Sequence, residues 1–197
     1  MRCISLAGLC ICLVLCACGR SIPTSYYILE SASSAMESGD MPKTSLRVAP
    51  VSVPAYLDRT GLVRHGDGAG NLTVEENHQW AEPLAEGIRR VLQEELAAPL
   101  RSRGVHVLAN ADDSDSDTIL HVHVERLDAA KPGMVRMVAQ WRCDKNGRSV
   151  AQGVFAENCV VSGSGMTPLV EAQGTLVRQL AAWILDHLPR LAEGKRS

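Results

Sequence analysis

The fold turns on Thr118-Ile119-Leu120-His121-Val122-His123-Val124-Glu125, followed by Val135 to Cys143, the dipeptide Asn146-Gly147, and Arg148 to Val161. In the first segment apolar and polar residues alternate, the period of a strand with one buried face. Leu120, Val122 and Val124 then look to a core, and His121, His123 and Glu125 look away from it. In the second, Val135, Met137, Ala139, Trp141 and Cys143 alternate with Arg136, Gln140 and Arg142. Asn-Gly between two strand-like runs is a strong two-residue hairpin signal, because both residues tolerate positive φ. A turn centred there sets Cys143 opposite Val150 and Cys159 opposite Met134. The two cysteines then sit about nine residues, or roughly 30 Å, apart along the ribbon. A disulfide needs Cα atoms within about 7 Å, so two free thiols are expected even in an oxidising compartment.

Working upstream, Trp80, Leu84, Ile88, Val91, Leu92 and Leu96 recur at helical spacing, which predicts a helix from about Gln79 to Leu96. Val105 to Leu108 reads as a short strand, as do Ser25 to Leu29 and Leu72 to Glu75. Leu46 to Pro54 is a strand whose apolar parity changes at Ala49-Pro50, which predicts a bulge or an edge. Tyr56 to Val63 reads as a connection, and 65–71 as a Gly-rich loop. Downstream, Ser162 to Gly165 is a connection. Thr167 followed by Pro168 predicts an N-cap and first helical position, with a helix running to Leu188 and stopped by Pro189. The order strands, helix, strands, helix argues a single α+β domain, a mostly antiparallel sheet covered by two main helices. The expected body is 25–190, followed by a flexible tail over 191–197.

The start of the chain reads as an address. Arg2 precedes an apolar run from Ile4 to Leu15, about a dozen residues against the roughly 20 needed to span a bilayer, which fits a secretory signal. Leu15-Cys16-Ala17-Cys18 has the form of a bacterial lipobox: small Ala17 lets a peptidase reach the backbone, and the Cys18 thiol accepts diacylglycerol. Residues 1–17 are the expected signal peptide, cleaved between Ala17 and Cys18. One acyl chain binds a membrane only marginally, so an N-acyl chain such as palmitate on the new amino group would complete the anchor. In some bacteria an Asp directly after the lipidated Cys marks inner-membrane retention. Gly19 therefore favours the outer membrane, with the body facing the periplasm. Residues 19–24 reach about 20 Å at most, so 18–24 is a short tether that holds the body at one membrane surface.

Of 197 residues, 46% are hydrophobic, 4% aromatic and 21% charged, a globular mix that excludes a disordered or collagen-like chain. The formal charge is −2, from 20 Lys and Arg against 22 Asp and Glu. That excludes a general nucleic-acid-binding surface, which needs a basic excess. Seven cysteines look like a scaffold until placed: four fall in the signal segment, Cys18 is the lipid site, and only Cys143 and Cys159 lie in the body.

No constellation argues for an enzyme. His121, His123 and Glu125 share a strand face, a pattern able to ligate zinc, but a solvated polar face is the plainer reading and no metal is expected. Asp112-Asp113-Ser114-Asp115-Ser116-Asp117 resembles the start of a calcium loop. Counting from Asp113, however, the sixth position is Thr118 and the twelfth Val124, not Gly and Glu. Ser164 lies between Gly163 and Gly165 without the flanking pattern of a nucleophile elbow. There is no P-loop, no His-Glu-x-x-His, and no Cys-x-x-Cys in the mature chain. No catalytic residue and no cofactor beyond the lipid on Cys18 are expected. The connection carrying Tyr56-Leu57-Asp58-Arg59 has no core periodicity. It is either a partner-contact surface or a turn that packs Tyr56 and Leu57 inward and pairs Asp58 with Arg59.

Several segments together resemble one family: the lipobox at Cys18, Tyr26-Tyr27-Ile28-Leu29, Val51-Ser52-Val53-Pro54-Ala55-Tyr56-Leu57-Asp58-Arg59, Leu62-Val63-Arg64, Trp80-Ala81-Glu82-Pro83-Leu84, and the closing helix after Gly165. Across nearly the whole mature chain the sequence is similar to the ABC-type transport auxiliary lipoproteins, the group that includes PqiC. The resemblance implies a non-catalytic envelope lipoprotein of an MCE-type system that moves lipids or other hydrophobic compounds. It implies docking of the MCE component at the membrane. Its partners would be an MCE-domain protein, ABC transporter components, membrane lipid and, optionally, a second copy in a homo-oligomer. The competing reading is an outer-membrane lipoprotein that binds lipid or supports envelope integrity without a transporter.

Overall fold

A computed structural model describes residues 22–33, 44–66, 70–109, 116, 118–131 and 133–191. The central element is the stretch quoted first. Strands β6 (Thr118–Lys131), β7 (Met134–Lys145) and β8 (Arg148–Val160) form an antiparallel meander. Asn146 and Gly147 turn it with φ of 51° and 72°, the left-handed pair that a two-residue hairpin of this hand requires. Lys145 faces Arg148 and Asp144 faces Ser149, but a bulge between Cys143 and Asp144 then moves the register by one. Cys143 therefore faces Ala151, not Val150, and Cys159 faces Val135, not Met134. Both cysteines are free thiols, Cys143 buried and Cys159 half-buried.

Two further strands complete a mixed five-stranded sheet, β5-β2-β6-β7-β8. Strand β2 (Thr44–Val48) lies between β5 (Val105–Leu108) and β6, parallel to both. The parity change after Val48 is real. Pro50, which has no N–H, points out, and the chain rejoins the sheet at Ser52, which bridges to His123. A second, three-stranded sheet runs β1-β4-β3 and lies with β3 against β6. It holds β1 (Ser25–Tyr27), β3 (Gly61–His65) and β4 (Leu72–Trp80). The expected single sheet is thus two, and its antiparallel ladders are joined by three parallel pairings. Val63, expected in a connection, belongs to β3, and β4 runs on to Trp80.

Helix α1 (Leu84–Ser102) begins later and ends later than its periodicity predicts. Trp80 closes β4 instead of opening the helix. Pro83 is the N-cap, and its carbonyl accepts from Glu86 and Gly87 at 2.9 and 3.0 Å. A residue before proline is kept out of helical geometry, which moves the start past Glu82. At the other end Pro99 is carried inside the helix, because Leu96 and Leu100 are both buried and hold the last turn to the core. Helix α2 (Met166–His187) starts at Gly165, not Thr167: Gly165 is the N-cap at φ 96°, a conformation that favours glycine.

Both helices pack on one face of the larger sheet, α1 over β5 and β2, α2 over β7 and β8. There Leu46, Val48, Leu120, Val122, Val124, Val135, Met137, Ala139, Trp141 and Phe155 meet Ile88, Leu92, Leu96, Leu176, Leu180 and Ile184 in one core. An aromatic cluster seats α2: Trp183 stands edge-on to Trp141 at 5.7 Å and to Phe155 at 6.4 Å, with His187 stacked on it. Gly153 makes room for it, since a Cβ there would lie 2.7 Å from the Trp183 ring. The core also takes Leu191, so the folded body reaches past the expected boundary at 190.

Candidate functional site

Two surfaces stand out, one on each side of the sheet. The first is its outer face, which no helix covers. His121, His123, Gln140, Arg142, Gln152 and Val154 line a shallow depression of about 490 Å³ there, with Pro50 and Ser52 at its margin. Its polar groups satisfy one another. His123 shares a 2.6 Å hydrogen bond with Ser52 Oγ, Gln140 donates to Glu125, and Arg142 Nη2 lies 3.0 Å from Asp144 Oδ2, with His121 at 3.5 Å from the same oxygen. His121, His123 and Glu125 thus share a face as their spacing requires, each turned to a different neighbour. Among the described residues no group of three His, Cys, Asp or Glu could hold a metal. At the margin of this face β8 is an edge strand, with Val150, Val154 and Val160 exposed.

The Tyr56–Arg59 segment is a tight turn: the Leu57 and Asp58 N–H groups donate to Pro54 O at 2.9 and 3.1 Å. Leu57 is 2% exposed, inside the core. Tyr56 donates through its hydroxyl to Asp128 Oδ2 at 2.7 Å, and Arg126 Nε donates to the other oxygen at 2.6 Å. Burial, then the bond to the Asp128 carboxylate and its charge, hold the Tyr56 phenol well above its ordinary value against the smaller pull of Arg126. The segment therefore presents Asp58 and Arg59 to solvent on a footing made by Tyr56 and Leu57. Ala17 and Cys18 lie outside the described residues, as do Asp112, Asp113, Ser114, Asp115 and Asp117.

The second surface is a groove of about 780 Å³ between residues 28–33, α1 and β5, for which no sequence pattern provides a reason. Its wall is fixed by two charged side chains of α1. Arg90 donates to Leu29 O at 2.8 Å while ion-pairing with Glu82 at 2.6 Å and Glu94 at 3.4 Å. The hydrogen bond to Glu82 does most to raise its pKa. Glu95 accepts from Ser31 Oγ at 2.7 Å, from Ser33 Oγ at 3.2 Å and from the Ala32 and Ser33 N–H groups. Burial pushes the Glu95 carboxyl up, but those hydrogen bonds together leave it below its ordinary value. Arg178 adds a bond to Glu30 O at 2.8 Å. The bonds to Leu29, Glu30 and residues 31–33 reach across some 60 to 150 residues, and no local pattern in the sequence announces them.

An open sheet face and a preformed groove are surfaces for holding something, the equipment of an accessory module. A family model described as ABC-type transport auxiliary lipoprotein component matches residues 26–184, almost the whole body. The chain belongs to this family, which associates it with the cell envelope and with transporter partners. Solved structures agree on the fold. A crystal structure of an uncharacterized protein is 24% identical with a TM-score of 0.69, covering 84% of this chain and 98% of its own. A Xanthomonas campestris protein is 17% identical with a TM-score of 0.64, covering 82% and 93%. Among curated proteins there is no match. Among the described residues no helix is long and apolar enough to cross a membrane.

Proposed function

We propose that the protein is the non-catalytic, lipid-anchored docking component of an MCE-type lipid or hydrophobic-compound transport system. Residues 1–17 are removed, and Cys18 carries diacylglycerol and an N-acyl chain. The body faces the periplasm from the outer membrane and receives the MCE-domain protein there. The observation that carries this reading is the family match over residues 26–184, which takes in both sheets and nearly all of both helices. The surface offered to the MCE partner is the uncovered face of β6, β7 and β8. A face that buries no helix and exposes three valines along an edge strand is suited to a partner, since long, sparsely charged edges otherwise invite unspecific pairing. Asp58 and Arg59, held out by Tyr56 and Leu57, add a second, charged contact.

Crosslinking in intact cells, membrane solubilisation and affinity purification of the full chain test this. Recovery of an MCE-domain protein with its ABC partners is the expected result. Recovery of copies of the chain alone would assign the sheet face to self-association, and a sample with neither component would sink the docking role.

A further inference from the structure

Eight large apolar side chains stand most exposed among the described residues, and they fall into two groups. Val150, Val154 and Val160 belong to the sheet face already offered to the partner. The other five, Ile22, Tyr26, Ile28, Leu72 and Val74, come from the smaller sheet and the chain on either side of β1. The strand register sets Tyr26 and Val74 on one side of that sheet. Tyr26 pairs with Gln79, and Gln79 with Gly61. Directly paired residues share a face, and a Cβ on Gly61 would lie 2.7 Å from Val74 Cγ1, so Val74 shares that face too. Leu72, two residues before Val74 on β4, continues the row at one end. Ile28 continues it at the other, until exposed Glu30 closes it with a charge. The opposite side is the packed one. Leu29 and Leu62 are buried there, and Tyr27 rests on the core while its hydroxyl shares a 2.9 Å hydrogen bond with His78. The ion pair of Arg64 with Glu75 also lies on that side.

The position of this row in the chain supplies its partner. Ile22 and Tyr26 are 70% and 66% exposed, an exposure that marks a contact when such residues are contiguous. Ile22 is four residues from Cys18, at most about 14 Å of chain, and Tyr26 eight, at most about 28 Å. A lipid on Cys18 fixes that residue at headgroup level, so the row begins within reach of the bilayer and cannot be carried far from it. Its composition is that of an interfacial contact: aliphatic side chains enter the acyl boundary, and the tyrosine hydroxyl stays among the headgroups. The lipid chains on Cys18 already supply affinity. What the row adds is direction, because a body held at Cys18 alone is free to turn on its tether.

We propose that Ile22, Tyr26, Ile28, Leu72 and Val74 rest in the headgroup boundary of the bilayer that holds the Cys18 lipid, so that the smaller sheet seats the body on the membrane in one orientation. The inference rests on the anchor at Cys18 and not on an MCE partner. The test uses the full, acylated chain in phosphatidylethanolamine–phosphatidylglycerol vesicles. In a Cys159→Ser background a nitroxide is attached in turn at Tyr26→Cys, Val74→Cys and Val154→Cys, while Cys143 is buried and takes no label. Power-saturation paramagnetic resonance then compares collisions with oxygen, which enters lipid, and with a water-soluble nickel chelate. Relative to nickel, labels at 26 and 74 are expected to meet oxygen several-fold more often than the label at 154. Equal values at all three positions, on vesicles that carry the protein, would overturn the seat and leave the anchor standing. A protein that does not float with the vesicles would overturn both. Ile22→Glu with Ile28→Glu, which flank Tyr26 at exposed positions, is expected to leave the circular dichroism spectrum and flotation unchanged and to bring the label at 26 to the value at 154. A label still shielded from nickel in that folded, floating variant would overturn the proposal. Spin–spin broadening between labels at 26 on neighbouring copies, with no preference for oxygen, would assign the row to a second copy of the chain instead.

Discussion

On β6, Leu120, Val122 and Val124 disappear beneath the helices, while His121, His123 and Glu125, each one residue along, stay on the outer side. Strand β7 repeats the split with Trp141 and Cys143 against Gln140 and Arg142, and β8 with Phe155 against Val154. The two faces of one sheet are thus under different constraints. The inner face is close-packed, so its residues are fixed by volume. The outer face is held by hydrogen bonds and ion pairs between side chains that are partly in water, each worth little to stability. Mutations should therefore divide cleanly: inner-face changes unfold the protein, and outer-face changes leave it folded but alter what it holds.

The deepest test of the inner face is Leu180→Ala, at a fully buried position of α2. It should cost about 3 kcal/mol in a denaturant titration. A loss under 1 kcal/mol would mean that α2 is not seated as described. Gly153→Val is next. Its branched side chain would overlap Trp183, and overpacking of this kind costs about 2 kcal/mol, with a change in the near-ultraviolet tryptophan dichroism. Tyr56→Phe, at the margin between core and solvent, should cost about 1–2 kcal/mol by removing a donor from buried Asp128. That cost is pH-dependent. The phenol titrates higher in the folded protein than its ordinary 10.0, so its contribution is complete below that pH and is lost as pH rises above it. The gap between wild type and Tyr56→Phe should narrow between pH 8 and pH 10.5, and a constant gap would contradict the buried hydrogen bond.

The cysteines sharpen the contrast without altering the sequence. Burial, then the neighbouring Asp144 charge, pushes the Cys143 thiol up to about 11. At pH 8 a thiol reagent should label Cys159 in the folded protein and reach Cys143 only on unfolding. Protection of both thiols in the denatured, unreduced protein would reveal a disulfide instead. The smallest stability effect belongs to the outer face. Val154→Asp, on a residue 58% exposed, should change stability by under about 0.5 kcal/mol while weakening recovery of the proposed MCE partner. Undiminished recovery would move the docking contact elsewhere.

What could be read from the sequence follows the same division. The meander was legible because period-two alternation and Asn-Gly are local signals. Its register was missed by one residue because the bulge at Cys143 leaves no compositional mark. Trp80 fits the helical spacing, since it stands four residues before Leu84. Glu82-Pro83 held the correction, because proline restrains the residue before it. The second half of β4 carries no strand pattern, as Glu76 to Gln79 are polar and the strand is completed there by β1, which pairs with His78 to Trp80 from some 50 residues away. The groove was illegible for the same reason: Arg90 and Glu95 look like ordinary surface charges until Leu29 and Ser31 to Ser33 are brought to them.

The placement of β2 sets the order in which the molecule can be assembled. It is the second strand in the chain, yet its two neighbours in the sheet begin at Val105 and Thr118. As the polypeptide emerges amino end first, Leu46 and Val48 have no ladder to join until more than half of the chain is out. The meander, whose contacts are close in sequence, is able to close by itself once Val160 is out, and β2 then slots between finished neighbours. Until that moment β2 waits, whereas β1 and β3 can already pair with β4 once Trp80 is out.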